Sequence, residues 1–508
     1  MTAILGGGIS GLSAAYYALE NPKLAPSVIL EVSNRIGGWI RSVKQPDGTI
    51  FETGPRVIRA NSHDLLKLIE ELKLSSKVIP IKAEHPVAKN RYIYADNVLH
   101  CLPNSLKGII TKNTLLNHSL ARLLWNDFKA AKVLKDDESI YNFVERRFGK
   151  DVSEKMVAPI LCGICGGDIH QLSAKSFMAN IFETEQKYGS VFMGLIQKKF
   201  SDILNKKEKK EVTLENTNET QKIVKSNNIS SLLVEKAKRE LWSTWGLEGG
   251  FEQLPQTLAE NITKRGVNIK MKHNCEQIIF NKDCVELIVN GKVEKYSRII
   301  SSLPAKSLAI LIQKQHPELS KELYSIPTVT IAVVNLQFSE NVLPINAFGV
   351  LIPPKEEIPI LGITFDSCAL PQNSKMTVCI NINIYYTSLM FFIINFYKVL
   401  TVMMGGAWFE KYFGRCTSEE HLKTIAVKYV NKLLCINEDP KACNVSILKD
   451  CIPQYIIGHA QRLTRIHDYI SAHKIPLALC GSSYHGVGVS HVILSAKEAV
   501  SSINQCMI

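Results

Sequence analysis

What the sequence has little of narrows it first. Only one C-x-x-C occurs, Cys162 to Cys165, with no second pair at zinc spacing, so it reads as structural and no metal is expected. The 13 cysteines are odd in number and scattered from Cys101 to Cys506. That pattern excludes a disulfide framework and favours a reducing compartment. No Ser/His/Asp nucleophile set stands out. Strand-forming residues begin at Thr2, so neither a secretory signal nor a cleaved transit peptide is expected. Any organelle address is therefore expected to be internal. Acidic residues are outnumbered by basic ones, 47 to 60, for a net charge of +13. An anionic partner fits that balance: nucleic acid, an acidic membrane face or an acidic substrate. An unspecialised basic surface fits it equally well.

The 508 residues exceed one typical domain, and 46% hydrophobic content supports sizeable cores. Residues 1–85 read as strand, helix, strand and loops. Residues 86–205 hold long helical stretches such as "NSLKGIITKNTLLNHSLARLLWNDFKAAKVL", with apolar residues at three and four and Lys or Arg between them. Residues 206–235 are polar and charged, and read as a linker. Strand and turn patterns return from Trp245, a β-rich portion follows, and the chain ends as strand, Gly-rich turn and helix.

The stretch "AILGGGISGLSAAYYALE", residues 3–20, meets the context test for a dinucleotide fingerprint. Thr2 to Leu5 form a strand. Gly6, Gly8 and Gly11 supply the tight turn, the close approach to pyrophosphate and the tight helix–strand packing. The following helix, from Leu12, offers its N–H groups and positive dipole end to phosphate. The next strand, "SVILEV", delivers Glu31 about 20 residues after Gly11, where a carboxylate would bond ribose hydroxyls. A glycine-rich turn of another α/β protein is the bland alternative. NAD and FAD both remain open at this point. A second glycine pair follows in "NRIGGWIRSV", with Arg35, Gly38, Trp39 and Ser42, and then "FETGPRVIR" with Gly54 and Arg56. This suits a cofactor of longer reach.

E-x-x-x-R-x-G-G, from Glu31 to Gly38, resembles the signature of the flavin monoamine oxidase superfamily. The order of "LGGGISGLSAAYY", "NRIGGWIRSV", "FETGPR", "HPVAKNRYIY", "WGLEGGFEQLPQ", "IAVVNLQF", "CIPQYIIGH" and "GSSYHGVGV" is similar to the mitochondrial protoporphyrinogen oxidase family over nearly the whole chain. The resemblance implies a mixed α/β fold. Its Rossmann-like FAD-binding domain would be built from discontinuous segments, 1–85, 236–305 and 446–508. A helical membrane-binding domain would span 86–205, and a β-rich substrate domain 306–445. It further implies non-covalent FAD, protoporphyrinogen IX as substrate, molecular oxygen as acceptor and hydrogen peroxide as by-product. Hydride loss from a methylene bridge would be the first step, and no general base is identified. A homodimer would lie peripherally on the mitochondrial inner membrane, on its intermembrane-space side, with no nucleic acid partner. By the same resemblance Gly6, Gly8, Ile9, Ser10, Gly11, Glu31, Arg35, Gly38, Trp39, Ser42, Gly54, Trp245, Cys275, Val487 and Val489 would hold the cofactor. Arg91 would pair a substrate propionate, a task suited to a guanidinium. Phe348, Gly349, Leu351 and Met403 would wall the tetrapyrrole cavity, and Arg56 would stand near the flavin. Another superfamily oxidase or desaturase, and a flavin or porphyrin binder without turnover, are the competing readings.

The sequence also departs from that pattern. Ser490-His491 replaces the family's usual Asn-Asp, Cys275 replaces a valine, and the segment from Cys162 to Ser173 runs one residue short of some members. Residues 379–400, "CININIYYTSLMFFIINFYKVL", interrupt an expected cavity strand. Asn381, Asn383, Asn395 and Lys398 break this stretch into runs short for a membrane-spanning helix. Its flanks nearly repeat, Met376-Thr377-Val378 and Leu400-Thr401-Val402. A membrane-contacting loop is one reading; translated intron sequence is preferred because the insert splits a strand. The preferred reading predicts a mature transcript without these codons. A message that reliably carries them would overturn it.

Overall fold

The computed structural model describes residues 1–21, 24, 26–102, 115–116, 120–198, 231–339, 342–343, 345–384 and 387–505. The architecture is mixed α/β. A five-stranded, all-parallel sheet runs in the order Asn268–Met271, Pro26–Glu31, Thr2–Leu5, Arg298–Ser301, Leu477–Leu479. One sheet thus draws strands from three separated parts of the chain. Its strands alternate strictly between two apolar layers. Ile4, Ile29 and Ile300 enter one layer, with the helices Ile9–Ala18, Gln253–Lys264 and Val489–Gln505. Ala3, Leu5, Val28, Leu30 and Ile299 enter the other, with a three-stranded sheet and the helices Ala305–Ile312, Pro317–Tyr324 and His459–Ala472. Near-continuous apolar strands are what a parallel sheet covered on both faces requires.

A second sheet of seven strands runs in the order Ala442–Pro453, Thr328–Phe338, Lys398–Gly406, Ile360–Phe365, Gly349–Leu351, Arg91–Ala95, Val98–Cys101. Its two outermost strands at one side come from residues 91–101, ahead of the helical stretch in sequence. Main-chain pairing of Gly349, Val350 and Leu351 with Arg91, Tyr92 and Ile93 recruits them.

The described helices between 120 and 198 pack around Ile140, Phe143, Leu161, Leu172 and Phe182. Beside that core lies a dry ion cluster. Arg147 is fully buried and pairs with Glu185 and with Asp127, the latter at 3.7 Å. Arg146 spans Glu138 and Glu185 at 2.6 and 2.9 Å. Asp127 also accepts from Ser190 Oγ at 2.7 Å and from the Phe192 N–H at 2.9 Å, so it caps a helix over 191–198. This locks that helix to Leu120–Lys129. The expected helical stretch over 104–134 is described only in part, since 103–114 and 117–119 lie outside the described residues. Residues 199–230, which include most of the expected linker 206–235, lie outside them too, and the helix Leu232–Arg239 begins within the linker's last part.

Candidate functional site

The glycine turn after Thr2–Leu5 sets the first wall of the site. Gly6 has φ +98° and donates its N–H to Leu30 O at 2.9 Å. A Cβ on Gly11 would lie 2.0 Å from Gly6 O, so only glycine permits this helix to start against this strand. Gly8 is the N-cap residue of Ile9–Ala18, and no side chain caps that helix end. Ile9, Ser10 and Gly11 fill its first turn and are buried. Orphan N–H groups and the dipole therefore face outward, as an anionic group requires. Gly37 and Gly38 come up opposite. Gly37 donates to Gly7 O at 2.9 Å, and Gly8 and Gly37 form an isolated parallel bridge. Two bare backbone turns thus form a cradle that a side chain would obstruct. Glu31 closes it, accepting from the Gly7 N–H at 2.6 Å and the Ser33 N–H at 2.8 Å. Its carboxylate retains lone pairs for further donors.

Arg35 serves its own loop. It donates to Ile36 O at 3.1 Å, Ile40 O at 3.3 Å and Gly38 O, and stands 3.9 Å from Glu252. It is a brace that shapes the glycine turn. Trp39 is exposed, and its carbonyl abuts Gly54, where a Cβ would sit 2.0 Å away. Ser42 is engaged on every side. Its N–H donates to Glu252 at 2.9 Å, its Oγ donates to Glu52 at 2.8 Å and accepts from the Glu252 N–H at 3.1 Å. Gly250, at φ +103°, lets the backbone press onto Ser42. Trp245 is fully buried, with its indole N–H unpartnered among the described residues. Cys275, half-buried, has its thiol pushed up to about 11 by burial, which keeps it neutral. Val489 begins the last helix, and Val487 packs on the helical unit's core. His491, on the first turn of that helix, lies against Gly486 and Gly488.

The second wall is one face of the seven-stranded sheet. A single register row crosses it: Arg91, Gly349, Thr364, Thr401, Asn335, Asn444. Two residues along, on the same face, runs Ile93, Leu351, Gly362, Met403, Val333. Met403 stays half-exposed although its strand is central and Val402 and Met404 are buried. Leu351 is likewise half-exposed, under the helix Ala158–Cys165. Two apolar side chains of this row are therefore left partly open. Arg91 stands at the edge of the first row, with its guanidinium 5.4 Å from the centre of the Phe348 ring. Its Nε is buried and unpartnered, and no carboxylate pairs with it among the described residues. It is a cation with one apolar face covered and its charge unmet.

Sequence reasoning missed the residues beneath this face. Asp366 accepts from Arg56 Nη1 at 3.0 and 2.9 Å, from Thr364 Oγ1 at 2.9 Å and from Thr401 Oγ1 at 2.6 Å. Asn335 donates to Thr401 Oγ1 at 2.7 Å and to the Glu52 carbonyl at 3.0 Å. Arg56 is therefore committed to a carboxylate of the sheet. An acid two residues beyond Thr364, at the end of an apolar strand, was the available signal. Glu52 and Asp366 share the lining of an internal cavity of about 10 Å³, room for one water. Glu52 accepts from the Phe251 N–H at 2.6 Å, yet burial pushes its carboxyl up to about 7. Asp366 adds to that push, and Arg56 opposes it.

A raised carboxyl binds its proton more tightly when folded. Its contribution to stability is thus whole below pH 4.5 and is lost as pH climbs through 7. The loss is on the order of 3 kcal/mol across that window. Glu52→Gln removes this slope. Thermal unfolding from pH 5 to 8 should show the wild type losing stability relative to the variant as pH rises; parallel curves would refute the assignment.

With the geometry in place, comparison with known proteins is informative. The model for the family described as "flavin containing amine oxidoreductase" matches residues 9–504. The protoporphyrinogen oxidase of Bos taurus is 33% identical over 506 residues, 98% of this chain and 97% of its own. That of Schizosaccharomyces pombe is 30% identical over 525 residues, covering 99% of each chain. Among solved structures, a putative protoporphyrinogen oxidase from Exiguobacterium superposes with a TM-score of 0.75 at 24% identity, over 99% of this chain and 98% of that one. Cyclohexylamine oxidase from Brevibacterium oxydans shares the fold at a TM-score of 0.62 and 13% identity, covering 100% and 99%. Glycine cradle, carboxylate and split parallel sheet agree with these matches in one conclusion: the chain belongs to the flavin containing amine oxidoreductase family.

Proposed function

We propose that this protein is an FAD-dependent oxidase that converts protoporphyrinogen IX to protoporphyrin IX, with oxygen as acceptor, in haem synthesis. The carrying observation is Arg91, a charge-unmet guanidinium stacked on Phe348 beside the half-exposed Leu351 and Met403. A flat apolar ring with carboxylate arms is the chemistry that such a set of side chains suits. The full-length relatives support the same substrate.

The parallel sheet serves as a Rossmann-like FAD platform in this reading. Gly6 and Gly8 to Gly11 would take the diphosphate at the helix end, Glu31 the ribose, and Gly38, Gly54, Trp245 and Val489 the remaining length. The bare, capless turn fits an anionic dinucleotide. Bound there, FAD would supply hydride-accepting and oxygen-reducing chemistry. Arg91 binds and orients a substrate carboxylate. Leu351 and Met403 exclude water from the ring. Arg56, neutralised by Asp366, holds the segment from Glu52 onto the sheet, and Glu52 keeps its proton on a carboxyl oxygen below neutral pH.

Purified protein should be yellow and should turn protoporphyrinogen into a fluorescent porphyrin, with three peroxides per porphyrin. Arg91→Ala should raise KM about ten- to hundredfold and leave kcat nearly unchanged, the signature of lost uniform binding to a charged group. A flavin-loaded protein without turnover, or one oxidising amines instead, would overturn the proposal.

The helical unit is proposed to rest on an anionic membrane, the mitochondrial inner membrane by resemblance. Trp125, Phe128, Leu134, Phe192, Leu195 and Ile196 are large apolar side chains left exposed there, with Lys129, Lys132 and Lys198 among them. No helix among the described residues is long and apolar enough to cross a membrane. Binding in the plane of the surface follows. Cosedimentation with phosphatidylserine-containing vesicles should fall several-fold in a Trp125→Ser, Phe128→Ser double variant; unchanged binding would refute this face.

A further inference from the structure

We propose that the chain encodes one strand of its seven-stranded sheet twice, and that either copy can complete the sheet. The first observation is the path of the backbone. Lys375–Ile384 and Thr387–Phe396 pair only with each other, in unbroken register from Lys375 with Phe396 to Ile384 with Thr387. The Tyr397 N–H donates to Ser374 O at 3.0 Å. The chain therefore leaves the body of the protein at Ser374 and returns one hydrogen bond away at Tyr397. What lies between is a hairpin of its own, outside the seven-stranded sheet.

The second observation is what the sheet demands of the strand that follows. Lys398–Gly406 sits between Thr328–Phe338 and Ile360–Phe365. Leu400, Val402 and Met404 are buried in the sheet's apolar layer. Thr401 faces the other way, where it donates to Asp366 and accepts from Asn335. The requirement is thus apolar, Thr, apolar, in that order, at 400–402. A hydroxyl is needed at the middle position, because the Asn335 amide is buried there and the Asp366 carboxylate is nearly so.

Residues 376–378, Met-Thr-Val, meet the same requirement as Leu400-Thr401-Val402. Joining Val378 to Met403 would place Thr377 where Thr401 stands and Val378 where Val402 stands. Met376 would replace Leu400, a volume-conserving exchange. Lys375 would stand at the fully buried Val399, so its aliphatic stem must run past the half-exposed position of Lys398 to bring the ammonium to solvent. The short turn Pro371–Ser374 can extend to take up the two residues lost between Ser374 and the strand. The shortened chain would keep the whole register row from Arg91 to Asn444.

Two deletions test this. Removing 377–398 excises the hairpin and keeps the strand as it is. Removing 379–402 makes residues 375–378 supply it. Both should be soluble, retain FAD through gel filtration and melt within a few degrees of the full chain. Thr377→Ala in the 379–402 deletion should lower Tm as much as Thr401→Ala does in the full chain. If the 377–398 deletion folds and the 379–402 deletion does not, the first copy cannot serve as the strand and the proposal falls. It falls equally if both deletions fail, since the hairpin would then be integral, or if Thr377→Ala is silent in the shortened chain.

Discussion

The carboxylate of Asp366 is the point on which the two halves of the molecule depend. It is nearly buried, it has a single cation beside it in Arg56, and it takes hydrogen bonds from Thr364 and Thr401 on adjacent strands. A buried carboxylate is tolerable only when its lone pairs are met. Each partner comes from a different piece of chain. Arg56 follows the glycine-rich segment of the nucleotide side, and the threonines belong to the sheet. Asn335 extends the network to the Glu52 carbonyl. Satisfying one charge thus fixes how the segment from Glu52 to Arg56 seats on the sheet.

That seam carries one cation for two carboxyl groups. Arg56 answers Asp366, and Glu52 is left to keep a proton. The result is a layer beneath the sheet's polar row with little net charge. Arg91 is treated in the opposite way. Its charge is left unmet at the edge of the same register row, at the distance of a strand pair from Thr364 through Gly349. The sheet separates a satisfied cation from an unsatisfied one, and only the latter can recruit an anion.

Far from that seam, charge does different work. The Arg147 cluster joins the helices of 120–198 through Asp127 and Glu185, without contact with the sheet's polar row. By capping the helix over 191–198, Asp127 fixes the face on which Trp125, Phe128, Phe192 and Leu195 are displayed. Apolar residues stay exposed there because the pairing beneath them consumes the polar side of each helix.

The sequence alone determined what depends on neighbours in the chain. Strand, glycine turn and helix at 2–18 were legible because glycine at 6 and 11 is a local steric requirement, and Glu31 followed from spacing. Arg91, Gly349, Leu351 and Met403 were named by resemblance, and the sheet's register is what sets them side by side. The tertiary structure alone decided the rest. Arg35 became a brace of its own loop, Ser42 and Arg56 were taken up by Glu52, Glu252 and Asp366, and residues 375–396 paired with themselves. These outcomes rest on contacts between residues tens to hundreds of positions apart, where no local period or spacing carries the information. A carboxylate's partner is chosen by which strands lie beside it, and that is fixed only when the sheet closes.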